Sequence, residues 1–121
     1  MAKHLKEGKG WRLGLNLDVT TFKGLVGGDN WAVEMTAAEF NDFCCLTLRL
    51  VDTLQAMSSE LMDEERLVCE QETDYIWVEV EGYPNQYSLR FILLTGRKVE
   101  GGWSTTVTSE LVQTLPSLTL F

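Results

Sequence analysis

Histidine is almost missing from this chain. His4 is the only one, and it stands in a terminal stretch read here as mobile. A general base must be held in position to work, so histidine-based catalysis is not expected. Cysteine is scarce and poorly placed for bridging: Cys44 and Cys45 are adjacent, and Cys69 makes an odd third. Neighbours on a helix point about 100° apart, which argues against a disulfide framework and for a reducing, cytosolic compartment. No C-x-x-C pair is present either. No apolar run approaches the roughly 20 residues that span a bilayer. The basic start Met1-Ala2-Lys3-His4-Leu5-Lys6 leads into no apolar segment, so it does not read as a secretory signal. Gly27-Gly28 and Gly101-Gly102 are read as turn glycines, since no Lys-Ser/Thr follows them to cradle a phosphate. No cofactor and no enzyme chemistry are expected from this set of absences.

Positive charge is the next shortage. Ten Lys and Arg face 18 Asp and Glu, for a net charge of −8. The imbalance has an address. Residues 1–12 carry Lys3, Lys6, Lys9 and Arg12 against Glu7, a local +3, whereas residues 60–81 carry nine carboxylates against Arg66, a local −8. Nucleic-acid affinity comes largely from neutralised phosphates, so the middle of the chain repels a polyanion. The apolar fraction of 45% and the charged fraction of 23% are those of an ordinary globular protein. At 121 residues the chain fits a single domain, residues 1–121.

The hydrophobic pattern divides that domain into two similar parts, about 10–62 and about 66–115, followed by an apolar tail, 116–121. Trp11, Leu13, Leu15 and Leu17 alternate with polar residues and glycine as in a half-buried strand. Strands are expected again at Phe22 to Val26 and Trp31 to Met35, with Gly27-Gly28-Asp29-Asn30 as the turn between. Thr36 and Glu39 have capping-box spacing. Phe40, Phe43, Leu50, Leu54, Met57 and Leu61 follow at helical intervals, with Thr47 the one polar residue in the stripe. A helix to about residue 62 would be nearly 40 Å long. The second part repeats the plan: strands at Leu67 to Glu72, Tyr75 to Glu81 and Tyr87 to Thr95, then a short helix from about Thr105 to Leu115, stopped by Pro116. A Gly-Gly pair before Trp31, with Met35-Thr36 after it, matches Gly-Gly before Trp103, with Val107-Thr108 after it. This is read as an internal duplication. The fold class is therefore α+β: two antiparallel meander-plus-helix halves, one long first helix and one short C-terminal helix.

Three groups of residues are candidates for function. Asp63-Glu64-Glu65, with Glu60 a turn earlier, is the only dense carboxylate cluster. It reads first as a solvated helix end, then as a docking surface for a basic protein, and last as an oxygen-ligand site for Mg²⁺ or Ca²⁺. Trp77 sits on the Glu79 and Glu81 side of its strand, opposite Ile76, Val78 and Val80. There it can anchor an interface, stack a nucleobase, or lie under the second helix. Arg12, Arg90 and Arg97-Lys98 make a small basic patch if one sheet carries them all. Leu54, Met57 and Leu61 continue the apolar stripe to the end of a helix longer than a compact domain needs, so they are the expected seam of a homo-oligomer.

Gly8-Lys9-Gly10-Trp11-Arg12-Leu13-Gly14, Gly24-Leu25-Val26-Gly27-Gly28 with Trp31-Ala32-Val33-Glu34, Glu60-Leu61-Met62-Asp63-Glu64-Glu65 and Glu100-Gly101-Gly102-Trp103 together resemble a cyanobacterial and plastid family of unknown function. The resemblance covers nearly the whole chain. It implies the fold of the Whirly-type single-stranded-DNA-binding transcriptional regulators, a duplicated four-strand-plus-helix unit, and it carries over no catalytic residue. The reading that results is a non-catalytic protein-interaction module acting as a homo-oligomer, with a basic protein as a possible partner. Single-stranded nucleic-acid binding is the alternative, and a carboxylate-metal enzyme the third. No membrane partner is expected.

Overall fold

The structure, a computed structural model, describes residues 3–57 and 65–118. Among the described residues eight strands and two helices follow in chain order: β1 (Lys3–Gly8), β2 (Trp11–Asn16), β3 (Gly24–Gly27), β4 (Ala32–Met35), α1 (Ala37–Met57), β5 (Leu67–Glu72), β6 (Ile76–Tyr83), β7 (Gln86–Leu93), β8 (Glu100–Trp103) and α2 (Thr105–Thr114). A 3-10 turn, Leu115–Leu118, closes the described chain. The strands form two antiparallel four-stranded meanders, β1-β2-β3-β4 and β5-β6-β7-β8. The α+β arrangement of two sheets, one long helix and one short one is the architecture expected from the pattern.

Two strands differ from that expectation. The terminal stretch read as mobile is β1, registered residue for residue on β2 from Lys3↔Asn16 to Gly8↔Trp11. Its sequence, KHLKEG, has too few apolar residues to announce a strand; pairing with the strongly patterned β2 holds it. Gly101-Gly102 is not a turn but the middle of β8, facing Phe91 and Arg90 of β7. These glycines are needed for clearance. A Cβ at Gly101 would stand 2.6 Å from the Trp31 ring and 2.9 Å from Phe91, and one at Gly102 would stand 2.8 Å from the Leu89 carbonyl.

The duplication is topological, and its register shifts. Met35 ends β4 and Thr36 precedes α1, just as Trp103 ends β8 and Ser104 caps α2. The structural partner of Thr36 is thus Ser104, four residues before the Thr108 that the Gly-Gly-Trp echo selected. Thr108 instead lies inside α2, buried, its hydroxyl donating to the carbonyls of Trp103 and Ser104.

α1 packs chiefly on β6 and β5 and α2 on β7, and each helix also reaches the first sheet. α1 is described over 21 residues, about 31 Å at 1.5 Å per residue; residues 58–62 of the longer helix expected from the stripe lie outside the described residues. Phe40, Phe43, Cys44, Leu50 and Leu54 are buried as the stripe requires, and Thr47 is buried with them. Pro116 falls in the 3-10 turn after α2 rather than simply ending it, and this part of the apolar tail packs inward through Leu115 and Leu118. The two halves meet around an aromatic cluster: Trp31 and Trp103 centroids are 5.3 Å apart, and Phe43, Phe91 and Trp103 lie mutually within 5.8 Å. Offset and tilted rings at such spacings attract beyond their area of contact. The Trp103 indole N–H donates to the Gly27 carbonyl at 2.9 Å, a buried bond from the second half to the first.

Candidate functional site

The strand alternation of the second sheet sends Ile76, Val78 and Val80 inward, all fully buried. It therefore sends Trp77, Glu79 and Glu81 outward. Cross-strand partners share a face, so the register collects Glu70 beside Glu79 beside Arg90, and Glu72 beside Trp77 beside Ile92 beside Glu100. Trp77 is half-buried, and the Arg90 guanidinium lies over its ring at 5.3 Å. Arg90 also stands 3.7 Å from Glu79, and Arg66 pairs with Glu81 at 2.8 Å. Five glutamates thus share this outer face and its edges with two arginines. Both helices lie on the opposite face, so α2 does not cover Trp77. Glu70 and Glu79 are direct cross-strand neighbours, an arrangement of like charges that weakens a sheet rather than holding it.

Sequence position did not foresee a second polar centre, which joins the halves. The Thr36 amide donates to Glu39 Oε1 at 2.8 Å and the Glu39 amide to Thr36 Oγ1 at 3.2 Å, so the capping box forms as the spacing predicts. The same carboxylate then receives the Arg97 guanidinium on Oε1 and the Thr95 hydroxyl on Oε2, each at 2.5 Å. Glu39 is 2% exposed. Burial alone would raise its pKa, but the bonds from Thr95 and the Thr36 amide and the charge of Arg97 together hold it below the ordinary value. Arg97 also donates to the Glu34 carbonyl and lies 4.8 Å over the Phe22 ring. These contacts tie the arginine to the first half of the molecule.

The basic patch is not assembled. Arg12 donates to the carbonyls of Gly28 and Trp31 on the first sheet, at 2.9 and 2.8 Å; Arg90 is on the second sheet; Arg97 belongs to Glu39. The expected oligomer residues are only partly described. Leu54 is fully buried in its own core, Met57 is half-buried, and Leu61 lies outside the described residues. Asp63 and Glu64 lie outside them too, and Glu65 is exposed. His4 is an exposed residue of β1 rather than part of a mobile end. Cys44, Cys45 and Cys69 are free; burial, with Cys45 beside it, pushes the Cys44 thiol up to about 12. Among the described residues no three His, Cys, Asp or Glu side chains converge as metal ligands, and no helix is long and apolar enough to cross a membrane.

One apolar surface escaped the sequence reading. On the outer face of the first sheet Leu5 and Leu25 flank Gly14, whose missing side chain leaves a floor between them. Val19 and Phe22 from the β2–β3 loop wall a groove above it. Lys23 ties that loop down by donating to the Leu17 and Val19 carbonyls.

The fold defines a duplicated α+β protein, two antiparallel sheets with a helix after each. Within that class the chain belongs to the family described as a domain of unknown function, DUF1818, which it matches over residues 6–118. It is similar to a solved structure, a protein with unknown function from the DUF155 family of Prochlorococcus sp. NATL2A, at 28% sequence identity. The match covers 95% of this chain and 98% of that one, with a TM-score of 0.87. No curated protein matches the chain. The expected membership in a family of unknown function with a cyanobacterial relative holds; neither match names the Whirly-type regulators.

Proposed function

We propose that this protein is a non-catalytic, cytosolic interaction module that works as a homo-oligomer and takes a Lys- or Arg-rich segment of another protein on the outer face of its second sheet. The observation that carries the reading is Trp77, outward and half-buried, set among Glu70, Glu72, Glu79, Glu81 and Glu100. Aromatic anchors surrounded by a charged rim are where interface energy concentrates, and acidic faces steer cationic partners. The Arg90–Trp77 contact is a cation–π pair on that face; a partner's arginine would repeat it. Asp63, Glu64 and Glu65 continue the same charge along the chain.

The test is titration with an arginine-rich octapeptide at low and at physiological salt, beside single-stranded DNA of equal charge. The reading expects peptide binding that weakens as salt rises, is lost in Trp77→Ala with Glu79→Lys, and has no DNA counterpart. Submicromolar DNA binding at about 150 mM salt would replace it with the nucleic-acid function that the Whirly resemblance implies. No response to either probe would leave the face without a cationic partner and end the proposal.

A further inference from the structure

Leu5 and Val68 are the two most exposed large hydrophobic side chains described, at 59% and 56%. Each sits on an edge strand, β1 of the first sheet and β5 of the second, and no further strand pairs with either edge among the described residues. Each points to its sheet's outer face, since Leu5 pairs with Gly14 and Val68 with Glu81. Each also has charged residues at two-residue spacing along its strand: Glu7 after Leu5, with position 3, a lysine, registered on Asn16, and Arg66 and Glu70 about Val68. A base, an aliphatic residue and an acid in alternation on an unpaired edge form a template for another strand, and natural edges are usually blunted against it.

We infer that copies of this chain join edge to edge, β1 of one copy adding antiparallel to β5 of the next, with Leu5 opposite Val68. The inference rests on the homo-oligomer reading above and moves its seam from α1, where Leu54 is already buried, to the sheet edges. In this register position 3, a lysine, pairs with position 70, a glutamate, and Glu7 pairs with Arg66, so both flanking positions combine opposite charges. The two outer faces run on as one surface and both cores stay on the same side of the joined sheet. A parallel match would set Lys3 against Arg66 and Glu7 against Glu70. A slip of one residue would turn Leu5 toward the wrong face. Like edges can also align locally, Leu5 on Leu5 or Val68 on Val68. The first of these joins two copies of the +3 stretch and leaves Val68 bare; the second brings two acidic faces together and leaves Leu5 bare. Only the mixed contact covers both side chains with one interface and sets β1, whose residues are net positive, against β5, whose residues are net negative.

A head-to-tail contact has a diagnostic that a self-complementary one lacks. Leu5→Asp disables one edge and Val68→Asp the other. By light scattering, wild type should exceed 13.7 kDa, each variant alone should fall to that mass, and an equimolar mixture should form a pair of twice 13.7 kDa through the two intact edges. Both positions are on the surface, and circular dichroism checks that the variants fold. Should either fail to fold, hydrogen exchange on wild type decides: amides of both β1 and β5 should gain protection as concentration rises. Protection of only one strand, or of neither, overturns the inference. So does Val68→Asp remaining oligomeric alone, which would indicate β1 on β1, or Leu5→Asp doing so, which would indicate β5 on β5. A wild type of 13.7 kDa removes the oligomer itself; an oligomer that survives both variants removes only this seam.

Discussion

Glu39 does two jobs with one carboxylate: it closes the capping box of α1 and it receives Thr95 and Arg97 from the other half. Its pKa is lowered in the folded protein. In the unfolded chain the group takes up its proton near 4.5, so below that value the unfolded state binds more protons than the folded one. The stability it contributes is therefore present above that pH and drains away as pH falls toward the lowered folded value. Glu39→Gln should lower the denaturation midpoint at about pH 7, and the gap from wild type should narrow at about pH 3; a gap independent of pH would show that charge at this position does not matter. Thr47 presents the opposite case. It is fully buried on α1 and its hydroxyl has no hydrogen-bond partner among the described residues. An unpaired buried hydroxyl costs on the order of 1–3 kcal/mol, so Thr47→Val should raise stability by about 1 kcal/mol, read as a higher urea midpoint at unchanged slope.

At the scale of elements, β8 depends on what its glycines do not have. A methyl at Gly101 enters the Trp31 ring and Phe91, and overpacking of this kind costs about 1–3 kcal/mol. Gly101→Ala should lose stability in that range by chemical denaturation; an unaffected midpoint would mean that the cluster can shift aside. The same residues explain what could be read in advance. α1 was legible because its stripe, Phe40 to Leu54, is long and its cap, Thr36 with Glu39, is local. β2 and β6 were legible because alternation shows within a few residues, and β7 because its run is mostly apolar. β1 was not, since an edge strand held by its neighbour needs no apolar signature of its own. β8 was not, because glycine that makes room for a tryptophan is indistinguishable in sequence from glycine that makes a turn. The site divided in the same way. Trp77 could be placed outward by period two alone, whereas the Glu39–Arg97 bridge spans 58 positions of chain and leaves no trace in local pattern. The Leu5–Gly14–Leu25 groove likewise needs the register of three strands.

For the whole molecule, the ties between halves decide how it unfolds. Trp11 donates to Glu110, Trp103 to the Gly27 carbonyl, Thr73 to Asp42 and Arg97 to Glu34 and Glu39. Every one of them crosses from one half to the other, and the aromatic cluster between them belongs to neither half alone. Each half without its partner would expose Phe43 or Trp103 and strand a buried polar group. A fragment of residues 1–64 is expected to show no cooperative melting by circular dichroism, while the full chain melts in a single transition; a fragment that melts sharply would make the halves independent units.

The placement of the four tryptophans also gives the protein two separate optical channels. Trp11 and Trp103, 4% and 5% exposed, sit at the joint, and Trp31 leans on Trp103. Trp77 lies on the outer face of the second sheet, half-buried, with the Arg90 guanidinium over its ring. A dissolved quencher therefore reaches half-buried Trp77 and Trp31 and spares Trp11 and Trp103, so the shielded part of the emission reports parting of the halves without any label.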